Sequence, residues 1–124
     1  LKIFGGFSPV FPLYGEDNDL VNRARYHGFR VGVVRSVLAV HDRADRPYSK
    51  RSHMSLKYMN AMALMLHPGR CFALQAIIRP LSMIAFCIRY ATFLPLGYMC
   101  RLVAAIPRLR RIRRIAQAPG AFLD

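Results

Sequence analysis

Carboxylates all but vanish from this chain after Asp45, and that asymmetry divides it into two chemically different halves. Five of the six acids, Glu16, Asp17, Asp19, Asp42 and Asp45, fall within the first 45 of 124 residues, where six basic residues leave a net charge of +1. Residues 46 to 124 hold 13 basic residues and Asp124 alone as an acid, a net charge of +12. A near-neutral half with clustered acids suits a catalytic or binding module. An apolar half studded with arginine and almost free of acids suits contact with an anionic surface.

Length and composition bound the rest. A chain of 124 residues is at most one small domain, and a hydrophobic content of 54% excludes intrinsic disorder. Three cysteines are too few, and odd in number, for a disulfide scaffold. Cys71, Cys87 and Cys100 form no Cys-x-x-Cys pair, so they read as reduced thiols, buried or lipid-facing, in a cytosolic setting. The sequence opens at Leu1 inside an apolar stretch without a secretory-signal pattern, which leads us to expect a fragment of a longer protein.

Along the chain, Gly5-Gly6, Pro9 and Pro12 among Phe4, Phe7 and Phe11 make the opening a loop with aromatic anchors. Acids from Glu16, later Arg23 and Arg25, and then Gly28 predict a helix over 16–27 whose charges match its dipole. The β-branched runs 29–34 and 37–41 predict short strands. Ser52 or Ser55 is placed to cap a helix that runs to Leu66 before Pro68-Gly69, with Leu56, Met59, Ala63 and Leu66 on one face. From Cys71 onward, Arg79-Pro80, Arg89, Pro95 and Arg101 cut the apolar chain into uncharged runs of 8, 9 and 11 residues. A membrane span needs about 18 to 20. Arg108 to Ile115 reads as a basic amphipathic helix with Leu109, Ile112 and Ile115 as its apolar line.

Two readings compete for this second half. Isolated arginines within runs of Ile, Leu, Met and Phe fit snorkelling at a lipid headgroup layer, and the arginines of 108–114 would add attraction to anionic lipid. The plainer alternative is a buried helix pair with solvated arginines. A nucleic-acid binder would instead interleave aromatics with basics on a polar surface, so no nucleic-acid partner is expected.

The densest chemistry is Gly15-Glu16-Asp17-Asn18-Asp19-Leu20, three carboxylates within four positions at a loop-to-helix junction. Like charges this close are costly unless offset, and a helix N-terminus offers free N–H groups and a favourable dipole. Ordinary helix capping therefore explains them as well as a catalytic or metal-binding role does. His41, beside Asp42 at the end of a β-branched run, is the one histidine placed to join such a cluster.

These residues carry a resemblance. Gly5-Gly6-Phe7, Phe11, Tyr14 to Leu20, Asn22-Arg23, His27-Gly28-Phe29-Arg30-Val31 and His41-Asp42-Arg43 together resemble the C-terminal part of family 2 glycosyltransferases of the GT-A fold, over about residues 3 to 45. The resemblance implies an α/β fold: residues 1–51 as the C-terminal part of a GT-A, Rossmann-like domain, and residues 52–124 as an all-helical, membrane-associating tail.

It also implies an activity, namely inverting transfer of a sugar from a nucleotide-sugar donor to a glycan or lipid-linked acceptor in cell-envelope polysaccharide synthesis, at the cytoplasmic face of the membrane. By the resemblance Asp17 would be the base that takes the acceptor proton, and Glu16 would position the acceptor or orient Asp17. Gly5, Gly6, Phe7 and Asp19 would shape the acceptor site, and His41 would approach the metal or diphosphate. Mg²⁺ or Mn²⁺ would be held mainly by an Asp-x-Asp outside this chain. The Gln-x-x-Arg-Trp motif of processive synthases is absent, as is any Trp, so addition of a single sugar is expected. The rival function is a non-catalytic membrane-surface interaction module.

Overall fold

A computed structural model of the chain describes residues 5–36 and 49–122. Among them are four helices and no strand: α1 (Glu16–Tyr26), α2 (Lys50–Leu66), α3 (Phe72–Tyr90) and α4 (Leu94–Ala116).

The α1 helix forms where the sequence places it. Gly15 turns into it with φ 95°, a left-handed conformation that favours glycine, and a Cβ there would press on the Phe11 ring. No side chain caps the helix; Glu16, Asp17 and Asp19 lie in its first turn, and Arg23 and Arg25 in its last. It ends on paired hydrogen bonds from Gly28 N–H to the Arg25 carbonyl and from Phe29 N–H to the Ala24 carbonyl.

The expected α/β architecture is not what the described residues adopt. Residues 29–34, expected as a strand, are irregular and exposed, with Val33 at 93% of its full accessibility. A β-branched run becomes a strand by pairing its backbone and burying one face, and no described segment offers a partner. The second expected strand, 37–41, lies outside the described residues. Among the described residues helix formation alone builds the fold, and they contain no GT-A sheet.

The last three helices form one bundle, in which α4 packs against both α2 and α3. Ser49 caps α2, its hydroxyl accepting from Ser52 N–H at 3.0 Å, three residues ahead of the earlier of the two expected caps. Met62, Met65 and Leu66 of α2, Met83 of α3, and Leu102 and Leu109 of α4 form the core, which Val10 and Phe11 of the opening loop join. Ala63 and Leu66 are buried as expected, whereas Leu56 is only half-buried. The α1 helix rests on α2, where Asn18 Nδ2 donates to Asn60 Oδ1 at 3.3 Å.

The breaks expected at Pro80 and Pro95 are largely absorbed. Pro80 lies buried inside α3, Pro107 lies inside α4, and Pro95 occupies the first turn of α4, where its missing N–H is harmless. An interior proline costs about 3 kcal/mol in an isolated helix. Packing of Pro80 and Met83 against the bundle opposes that cost.

The basic end of α4 also departs from expectation. Leu109 is buried and Ile112 packs on the core, but Ile115 is exposed. Arg113 turns inward: its guanidinium donates to the carbonyls of His67 at 3.2 Å, of Pro68 at 2.8 Å and of Arg70, tying α4 to the α2–α3 connection. The free thiols Cys71 and Cys100 are exposed and Cys87 is half-buried.

Candidate functional site

The three acids at the head of α1 share a turn and face three environments. Asp17 is exposed, and its Oδ1 accepts from Asn18 N–H at 2.7 Å. Glu16 is half-buried, and among the described residues its Oε2 is shielded from solvent without a hydrogen-bond partner. Asp19 is sealed, with Oδ2 accepting from Arg23 Nε at 2.9 Å while Oδ1 likewise has no partner among the described residues. Burial pushes the Asp19 carboxyl above its usual range, and the charge and hydrogen bond of Arg23 reverse this only in part.

Arg23 connects this cluster to the glycine loop. Its Nη2 donates to the Gly6 carbonyl, so one buried guanidinium holds both the Asp19 carboxylate and the Gly5-Gly6 backbone. The loop is covered from the other side by residues 121–122: Gly6 N–H donates to the Ala121 carbonyl at 3.0 Å, and the Phe122 ring lies 5.1 Å from the Arg23 guanidinium carbon. A Cβ on Gly5 would collide with the Ala121 backbone. The close approach for which Gly5-Gly6 is suited is thus made here by residues 121–122. Phe7 projects outward, 62% exposed.

Glu16, Asp17, Asp19, Gly5, Gly6 and Phe7 therefore lie on one short helix and the loop that Arg23 fastens to it. His41 lies outside the described residues. Among the described residues no three His, Cys, Asp or Glu side chains are placed to hold a metal ion, so the acid trio does not fit a Mg²⁺ or Mn²⁺ site. What the cluster offers chemically is one accessible carboxylate, Asp17, beside two partly desolvated ones.

Two features have no complete local sequence signature. Arg23 was legible as a last-turn cation; its role as counter-ion follows from the i,i+4 spacing from Asp19, a pattern that promises contact but not burial. The second is a cleft of about 250 Å³ between the start of α2 and the end of α3, lined by Lys50, His53, Met54, Tyr90 and Thr92. There the Tyr90 hydroxyl and His53 Nε2 are 3.2 Å apart. No local sequence signal joins residues 37 positions apart. Comparison of the chain with protein-family models, curated proteins and solved structures finds no match.

Proposed function

We propose that this chain supplies the acceptor-side acids of an inverting, non-processive glycosyltransferase, which moves a sugar from a nucleotide-sugar donor to a glycan or lipid-linked acceptor of the cell envelope. The supporting observation is the division of labour on α1. Asp19 is consumed by its buried pair with Arg23, which fastens the Gly5-Gly6-Phe7 loop, while Asp17 on the same turn is left accessible. Keeping Glu16 Oε2 and Asp19 Oδ1 desolvated and, among the described residues, without a hydrogen-bond partner opposes stability, and such groups concentrate where a site is built for a ligand.

In the reaction Asp17 takes the proton from an acceptor hydroxyl as that oxygen bonds to the anomeric carbon. The bond from that carbon to the nucleotide diphosphate breaks, and the diphosphate leaves with the electron pair. Glu16 orients the acceptor, and Phe7 offers a ring face to the sugar. Donor binding, and any Mg²⁺ or Mn²⁺ that goes with it, falls to residues other than those described.

The test is to incubate membranes containing the full-length gene product with a panel of radiolabelled nucleotide sugars and envelope glycolipid. One donor should label the acceptor, with a single sugar added per acceptor. Failure of every donor overturns the proposal, and long polymer products overturn its non-processive part.

A further inference from the structure

The transfer chemistry leaves the outer face of α3 unused. Leu74, Ile77, Ile78, Leu81, Ile84 and Ile88 are all exposed, Ile77 at 60% and Ile88 at 80%. At 100° per residue they fall in one stripe, and beyond the helix Phe93 is 84% exposed. Ala73 and Ala85 are the other exposed residues between 73 and 88, so a face about 22 Å long carries neither a charge nor a polar side chain. Arg79, which interrupts the sequence here, turns to the other side, its Nε donating to Gln75 Oε1 at 2.8 Å.

Charge selects the occupant. Residues 50–122 contain 12 basic residues and no acid, with exposed Arg70 and Arg89 at the two ends of the stripe and exposed Arg108, Arg110, Arg111 and Arg114 along α4. A second copy would bring cations against cations. Nucleic acid would find no donor on the stripe itself. An apolar layer edged with phosphate satisfies both the face and its surroundings.

We infer that the outer face of α3 beds into the headgroup and acyl boundary of an anionic bilayer, with the helix lying in the membrane plane. By length and composition α3 is long enough to cross a membrane. Its inner face, however, is packed on α2 and α4 through Met83 and Phe86, and those helices carry Lys57, Arg101 and the arginines of the α4 end. A crossing would carry those charges into the hydrocarbon; lying in the plane leaves them in the headgroups. The inference stands independently of the transfer reaction.

The chain has no Trp, so single reporters can be placed without background. Ile77→Trp, Leu81→Trp, Ile84→Trp and, as a control on the acid-bearing half, Val33→Trp are read with vesicles of phosphatidylcholine alone, or mixed with phosphatidylglycerol, containing brominated acyl chains. The three α3 reporters should shift to the blue and be quenched at one common depth with the anionic vesicles, less so as salt is added, while the control stays unshifted. Leu81→Glu should abolish pelleting with these vesicles while circular dichroism stays unchanged. No shift, or a shift with RNA and not with vesicles, overturns the inference. So does a depth that changes steadily from 77 to 84, which marks a crossing, or a lipid-free shift that grows with protein concentration, which marks a second copy.

Discussion

Arg23 and Asp19 meet at 2.9 Å one turn apart on α1, with the two side chains 0% and 1% exposed. A buried pair of this kind adds little net stability over an apolar pair, but removing one partner strands the other charge. Asp19→Ala should therefore cost about 3–5 kcal/mol. It should also free the Gly5-Gly6 loop, which Arg23 holds. Urea unfolding reads the first effect and proteolysis between residues 5 and 14 the second. The double change of Asp19→Leu with Arg23→Met should recover most of the loss.

Gly5 should be the least replaceable residue of the loop. It has φ 79°, and a Cβ would strike the Ala121 backbone. Gly5→Ala should cost about 1–3 kcal/mol in strain and displacement. Phe122, now stacked on Arg23, should become open to cleavage by chymotrypsin.

The end of α4 separates structural from surface arginine. Arg113→Gln removes donors to three carbonyls and should lower stability by on the order of 2–3 kcal/mol. Arg111→Gln, at an exposed position, should change it by no more than about 0.5 kcal/mol. Thermal unfolding of the two variants checks the contrast. Equal effects would mean that Arg113 does not tie α4 to the α2–α3 connection.

Acid should loosen that same connection. Burial first, then the charge of Arg70 and after it that of Arg113, hold His67 below the usual imidazole value of 6.5, and its Nδ1 accepts from Gly69 N–H at 3.1 Å, as the neutral ring does. A lowered folded-state value means that the unfolded chain binds the proton more readily. The contribution is complete above 6.5 and is lost as pH falls from there toward the folded-state value. The denaturation midpoint should thus be lower at about pH 5.5 than at about pH 7.5. His67→Asn, which keeps an acceptor for Gly69, should flatten that difference.

Local signals carried most of what was legible. Acids followed by arginines and Gly28 mark α1 within one residue, because dipole matching and a glycine stop act inside a single helix. The end of α2 at Leu66 follows from Pro68-Gly69 in the same way. The strand expected at 29–34 fails because β propensity is an offer that a second strand must accept. The continuity of α3 is not legible, because Arg79-Pro80 looks like a break until the packing of Pro80 and the partner of Arg79 are seen. At the candidate site the acid cluster and the glycine loop were legible as patterns. Their union through Arg23, and the seating of residues 121–122 on the loop, depend on contacts across the whole chain.

The most direct test of the proposed chemistry is the rate of sugar transfer by the full-length gene product carrying Asp17→Asn. Asp17 is exposed, and its one hydrogen bond, from Asn18 N–H to Oδ1, can be kept by an amide oxygen, so the fold and donor affinity should be unchanged. Loss of the base should slow transfer by roughly 10² to 10⁴-fold. Transfer at the parental rate by a folded Asp17→Asn protein would contradict the assignment of Asp17 as the base.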